Sequence, residues 1–191
     1  MNLFEEYRPE RPSDAAPVLA DLRIRPAVPA DAPALGALEA SREGGDPAAR
    51  ARDVEHSIHA AATDHRTLIL VAEHERHLLA LAKARHFLPP AASPPSVAPP
   101  GWYLSGVIVS PEWRRRGIGR ALTRARLDRI AEHASVVYYF ANARNRVSIE
   151  LHRPFGFKEV TRDFTFPGVT FEGGVGMLFR ADQCRRRAGS H

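Results

Sequence analysis

The segment Val107-Ile-Val-Ser-Pro-Glu-Trp-Arg-Arg-Arg-Gly-Ile-Gly-Arg-Ala-Leu122 constrains the fold more than any other part of this 191-residue chain. Its short apolar start, set off by Ser110 and Pro111, predicts a buried strand. Ile118, Ala121, Leu122 and Ala125 then recur at helical spacing, so a helix begins close to Gly117. The strand enters the helix through two glycines and three consecutive arginines. A strand feeding a helix in this way needs a helix-covered sheet, and the expected class is α/β or α+β.

The same segment carries the first candidate site. The opening amides of a helix have no internal partner and lie at the positive end of its dipole. Gly117 and Gly119 remove the side chains that would hold a phosphate away from those amides. Arg114, Arg115, Arg116 and Arg120 add charge, and the arginine fork suits phosphate better than a point charge does. A Walker loop would need Gly-Lys-Ser/Thr after its glycines, and a dinucleotide fingerprint would need glycine where Leu122 stands. Both fail, which leaves Arg-x-x-Gly-x-Gly, read from Arg114, Gly117 and Gly119, as a diphosphate cradle. The competing reading is a glycine-broken loop with a solvated arginine cluster. Its place between a strand and an amphipathic helix favours the cradle.

Elsewhere the chain alternates. Leu22–Pro26 reads as a first strand, and Asp31 as the cap of a helix through Leu35 and Leu38. Gly44, Gly45 and Pro47 break the chain before a second helix at 48–62. Thr67–Ala72 and Leu78–Phe87 read as a hairpin pair. Six prolines within residues 89–100 exclude an element interior and predict an extended surface connection. Next come a strand at Trp102–Val109, the longest helix at Gly117–His133, a strand at Val136–Phe140 and a helix at Asn145–Phe155. Strands near Lys158–Phe166 and Val175–Phe179 close the domain. The expected organisation is an irregular leader at 1–21, one domain at 22–180 and a disordered basic tail at 181–191.

A second motif lies downstream: Asn145-Arg-Val-Ser148-Ile149-Glu-Leu151-His152-Arg-Pro-Phe-Gly156-Phe157. Together with the arginine–glycine turn it resembles the GNAT superfamily of N-acetyltransferases, over roughly Leu22 to Arg180. The family's segment reads Asn-x-x-Ala/Ser-Ile-x-Leu-Tyr-x-x-x-Gly-Phe. The resemblance implies a mixed, mostly antiparallel sheet of six to seven strands with about four helices, splayed between the fourth and fifth strands. It implies acetyl-coenzyme A as co-substrate, with no metal. The diphosphate would lie on Arg114, Arg115, Arg116, Gly117, Ile118, Gly119, Arg120 and Ala121. The pantetheine arm would lie along the backbone of Ile108 and Val109, with Asn145 and Ser148 on its other side. The family's tyrosine, which protonates the departing thiolate, is replaced here by His152. A histidinium can donate near neutral pH, so His152 is the candidate catalytic acid, against the alternative that it packs or caps and water supplies the proton.

The implied acceptor is a primary amine of a small molecule, with a protein N-terminal or lysine amine as the alternative. The stretches around Tyr138 and Phe164–Gly176 resemble an aminoglycoside 6'-N-acetyltransferase-like branch, whose polycationic acceptor would need carboxylates. Glu39, Glu43, Asp46 and Glu172 are the candidates for that. For the general base the candidates are Glu39, Glu43, Asp46, Tyr103 or a water chain.

Composition bounds the rest. A net charge of +5 with lysine only at Lys83 and Lys158 suits a GC-rich coding bias. It also raises a nucleic-acid-binding module, or a coenzyme A-binding fold without catalysis, as non-enzyme rivals. A nucleic-acid module should show basic residues and aromatics along one face; Arg114–Arg116 belong to the turn and Arg185–Arg187 to the tail, so no specific nucleic acid is expected. No run approaches a membrane span, the N-terminus lacks the apolar stretch of a signal peptide, and the lone Cys184 suits a reducing compartment. A cytoplasmic location is expected, and a homodimer is left open. His56/His59 and His74/His77 are closely spaced but lack the helical His pair with glutamate of a zincin, so no metal is expected.

Overall fold

In the computed structural model, residues 19, 21–171 and 173–183 are described. Seven strands form one sheet in the order β1-β2-β3-β4-β5-β7-β6. They are β1 (Arg23–Pro26), β2 (Thr67–His74), β3 (His77–Phe87), β4 (Gly101–Val109), β5 (Val136–Asn142), β6 (Lys158–Thr161) and β7 (Gly176–Asp182). The sheet is mostly antiparallel, with β4 and β5 parallel. Among the described residues four α-helices accompany it: α1 (Ala32–Glu43), α2 (Pro47–Asp64), α3 (Ile118–Ile130) and α4 (Arg146–His152). The described residues divide into two compact units, one of 19, 21–85 and 105–126, the other of 86–104 and 127–183.

The amino-terminal unit owes its order to a run that is apolar on both faces. In β2, Ile69 and Val71 pack with Leu35, Leu38, Val54 and Ile58 of α1 and α2. Leu70 and Ala72 pack instead with Ile118 and Leu122 of α3. A strand sandwiched between helix layers reads as a continuous apolar stretch rather than an alternating one. Asp31 stands at the cap position of α1 without a side-chain capping bond. Its carboxylate instead accepts from the Arg25 guanidinium at 2.7 and 2.9 Å and from the Val28 amide at 2.8 Å. Burial raises its pKa, but those donors outweigh burial and hold it below the ordinary 3.8.

Asp46 does cap α2, accepting from the Ala48 and Ala49 amides. With 18 residues α2 is the longest helix among the described residues; α3, expected to be longest, has 13 and stops at Ile130. There the His133 and Ala134 amides both donate to the Ile130 carbonyl, at 2.9 and 2.8 Å, and the chain closes into a turn instead of extending the helix. Alanine carries α2 through the whole of 48–62, where no residue breaks the helix.

In the carboxy-terminal unit, Trp102–Leu104 of β4 pair in register with Val137–Tyr139 of β5, and β7 pairs with β5 and β6. The proline-rich connection is not purely superficial. Ala98 is fully buried, its amide donates to Thr165 O at 2.9 Å, and the Thr165 amide donates to Ser96 O at 2.8 Å. This pairing takes residues that were expected in β6, which ends at Thr161. Tyr103, Phe87 and Phe166 pack beneath it. β7 continues to Asp182, past the expected start of the tail. Cys184, Glu172, Arg185–Arg187 and nearly all of the 1–21 leader lie outside the described residues.

Candidate active site

The arginine–glycine turn lies in the amino-terminal unit and is shaped chiefly by backbone. β4 ends at Val109, and the Ser110 amide donates to Leu79 O of β3 at 2.9 Å. Pro111–Trp113 form one 3-10 turn, closed by the Trp113 amide on Ser110 O at 2.9 Å. Arg114 returns to an extended conformation, and its Nε donates to Val109 O at 3.1 Å. Arg115 has φ +63° and Gly117 φ +76°, so two left-handed residues within three turn the chain into α3. Glycine adopts that conformation freely, whereas an arginine there costs about 1 kcal/mol. Local strain of this kind gathers at binding loops.

The ladder of α3 opens with the Ala121 amide on Gly117 O at 2.9 Å. The amides ahead of it stand at the positive end of the helix. The Arg116 guanidinium lies 4.7 Å over the Trp113 ring, which meets His74 edge-on at 5.7 Å. Stacking fixes that charge beside the turn. Backbone donors and a positioned cation at a helix start fit a diphosphate.

The second motif lies in the carboxy-terminal unit and is shaped by side chains. Asn145 caps α4, its Oδ1 accepting from the Ser148 amide at 3.1 Å. Pro154 follows within two residues and ends the α ladder, leaving a 3-10 turn at Arg153–Phe155. His152, the last residue of α4, is buried. Its Nδ1 lies 2.7 Å from Ser148 O. A carbonyl only accepts, so Nδ1 carries the hydrogen, and in the neutral ring Nε2 holds the lone pair. The ring stacks on Tyr139 at 4.2 Å and 22°, and Tyr139 stacks on Phe179 at 4.5 Å. Phe157 meets both His152 and Tyr139 edge-on. Burial, and then the nearby Glu150 carboxylate, push the Tyr139 phenol up, so it stays protonated.

The model of the acetyltransferase (GNAT) family matches residues 35–157, well over half of the chain. The chain belongs to the GNAT acetyltransferase family. Its fold recurs in solved structures. A GNAT-family acetyltransferase from Streptococcus pneumoniae superposes with a TM-score of 0.65 at 15% identity, over 85% of this chain and 99% of that one. The yncA structure from Salmonella typhimurium, solved with its cofactor acetyl-CoA, gives 0.62 at 18% identity, over 88% and 97%. A ribosomal-protein-alanine N-acetyltransferase from Brucella melitensis gives 0.62 at 26% identity, over 84% and 99%. No curated protein matches the sequence.

Within this GNAT acetyltransferase the candidate bases already have partners. Glu39 is buried and ion-paired with Lys83 at 2.5 Å. Glu43 pairs with Arg50 at 3.0 Å, and Asp46 is the α2 cap. The Tyr103 hydroxyl donates to Pro99 O at 2.7 Å, and burial, then Tyr138, push its pKa up. His74 and His77 face each other across the β2–β3 hairpin, and His56 and His59 stand exposed on α2. Among the described residues no three His, Cys, Asp or Glu side chains converge on a metal site. No helix among them is long and apolar enough to cross a membrane.

Sequence reasoning missed two features of this GNAT strand. Gly106 has φ +55° inside β4, and it is exposed together with Ser105. A lone glycine within a strand pattern was the available signal for such a break. Arg42 of α1 donates to Val107 O at 2.8 Å, just beyond that break. Nothing in the local pattern of α1 points to that contact.

Proposed function

We propose that this GNAT acetyltransferase transfers the acetyl group of acetyl-CoA to the primary amine of a small molecule. The observation that carries the donor is the turn itself, where left-handed Gly117 delivers the chain into α3 beside the stacked Arg116. The Salmonella typhimurium relative is described with acetyl-CoA as its cofactor, which supports the same donor here. Acetyl-CoA supplies an acetyl group activated as a thioester. In this reading the amides opening α3, with Arg114–Arg116 and Arg120, hold the diphosphate. The backbone of Ile108 and Val109, Ser148 and the Nδ2 donors of Asn145 take the pantetheine amides. The capping bond uses only Oδ1 of Asn145, which leaves Nδ2 for this role. As the imidazolium, His152 delivers its Nε2 proton to the departing sulfur and is left neutral, with Nδ1–H still held on Ser148 O.

The acceptor reading rests on charge. Glu39, Glu43 and Asp46 would have held a polycation, and each is engaged within the protein. That favours a small amine of low charge over an aminoglycoside. The Brucella melitensis relative supports a second acceptor, the N-terminal amine of a protein. Coenzyme A release should be measured over monoamines, polyamines, an aminoglycoside and peptides with N-terminal alanine. Turnover of the monoamines alone supports the first reading, and turnover of the peptides alone replaces it with the second. If acetyl-CoA neither turns over with any amine nor raises the melting temperature, the donor reading fails as well.

A further inference from the structure

Arg126 of α3 has no exposed surface. Its Nη1 donates to the Lys83 carbonyl at 2.8 Å and its Nη2 to Thr123 Oγ1 at 3.1 Å. Its Nε makes no hydrogen bond. Both partners are neutral oxygens, and burial alone depresses the guanidinium, to about 9. A charge held this way is expensive, and an apolar side chain of similar volume would serve the core as well or better. The hydrogen bonds also lead somewhere. Thr123 Oγ1, which accepts from Arg126, donates onward to the Gly119 carbonyl at 2.9 Å. Gly119 belongs to the proposed diphosphate turn. Gly119 and Arg126 are seven positions apart on the helix, about 10 Å along the axis.

We infer that Arg126 is a positioning residue for the donor, a buried cation that acts through Thr123 on the Gly119–Arg120 peptide at the start of α3. Hydrogen bonding to the Gly119 carbonyl polarises the peptide unit and strengthens its amide as a donor. The guanidinium also adds a fixed positive charge under the helix start, in surroundings that screen it weakly. Stability is given up for anion affinity. The inference rests on the turn being the diphosphate site.

Acetyl-CoA binding should be followed by thermal shift and by steady-state kinetics for the wild type, Arg126→Met, Thr123→Val and Thr123→Ser. Arg126→Met should melt at or above the wild-type temperature without ligand, yet raise KM for acetyl-CoA roughly tenfold. Its kcat, and its kcat/KM for acetyl-pantetheine, which lacks the diphosphate, should stay near wild type. Thr123→Val should raise KM by a smaller factor, and Thr123→Ser should restore it. An unchanged KM in Arg126→Met would overturn the inference while leaving the donor reading intact. So would an equal loss with acetyl-pantetheine, or an Arg126→Met chain that fails to fold. A wild type without any acetyl-CoA shift would sink the donor reading first.

Discussion

The two motifs that place this chain among the GNAT acetyltransferases are built by opposite means. The turn from β4 to α3 is mostly backbone: two left-handed residues, a 3-10 turn and the start of a helix. The Asn145–His152 segment is mostly side chain: a cap, a ring bonded to a carbonyl, and that ring stacked on Tyr139 with Phe157 edge-on to it. A backbone site tolerates changes in the side chains around it but not the addition of a Cβ at the wrong place. A side-chain site has the converse sensitivity, because one atom carries its role while the fold accepts many rings of the same shape. Histidine stands for the family's tyrosine in the side-chain motif, where in the proposed reading one proton donor replaces another while the ring keeps its stack on Tyr139.

The sharpest way to break this contrast is at Gly119. Gly119→Val adds a β-branched side chain to the first turn of α3, where the family pattern sets the phosphate against backbone. The acetyl-CoA-induced rise in melting temperature, which follows from mass action, should disappear. The melting temperature without ligand should change little, since valine costs a helix less than glycine does. Differential scanning fluorimetry with and without millimolar acetyl-CoA reads both quantities. A full ligand shift in Gly119→Val would mean that the phosphates are held by arginine side chains instead, and the contrast between the motifs would dissolve.

A smaller but still large effect is expected at His152. His152→Phe keeps a ring for Tyr139 to stack on and removes Nε2. A general acid contributes about 10²- to 10⁴-fold, so kcat should fall by that order while the acetyl-CoA thermal shift persists. His152→Tyr should recover part of the rate by restoring a hydroxyl donor. A fully active His152→Phe enzyme would leave the proton to water and reduce His152 to packing.

The same contrast explains what could be read from the sequence. Glycines and prolines mark backbone geometry one residue at a time, so the turn from Pro111 to Gly119 was visible locally, whereas the helix expected to reach Phe155 ends at His152, ahead of Pro154. Buried apolar runs such as Thr67–Ala72 located their strands within a residue or two. The contacts of long polar side chains were not visible, because they depend on partners brought together only by folding. Asp31 looked like a cap and is instead clamped by Arg25, which also reaches Glu73. Glu39 looked like a free carboxylate and is paired with Lys83, 44 positions away. Arg126 follows Ile118 and Leu122 at helical spacing, which puts it on their buried face of α3, but its partner, the Lys83 carbonyl, is 43 positions away and no local pattern shows it. Gly106 was legible but was read through, because the apolar residues on either side continue the strand.

The smallest expected effect tests the one side chain that serves both modes. Asn145 closes the first turn of α4 through Oδ1, a backbone-shaping task, and offers Nδ2 to the donor in the proposed reading. The two tasks separate by substitution. Asn145→Asp keeps an oxygen to accept from the Ser148 amide and puts a negative charge at a helix start, where the dipole favours it. It loses the two amide donors. Its melting temperature should equal or slightly exceed that of the wild type, while KM for acetyl-CoA rises several-fold, the worth of about one hydrogen bond. Asn145→Ala loses both tasks and should also lose about 1 kcal/mol of stability with the cap. Chemical denaturation and KM measured on the same two variants give the comparison. If Asn145→Asp keeps both its stability and its KM, Asn145 is a cap and nothing more. The carboxy-terminal motif would then hold the donor through His152 and the α4 backbone without it.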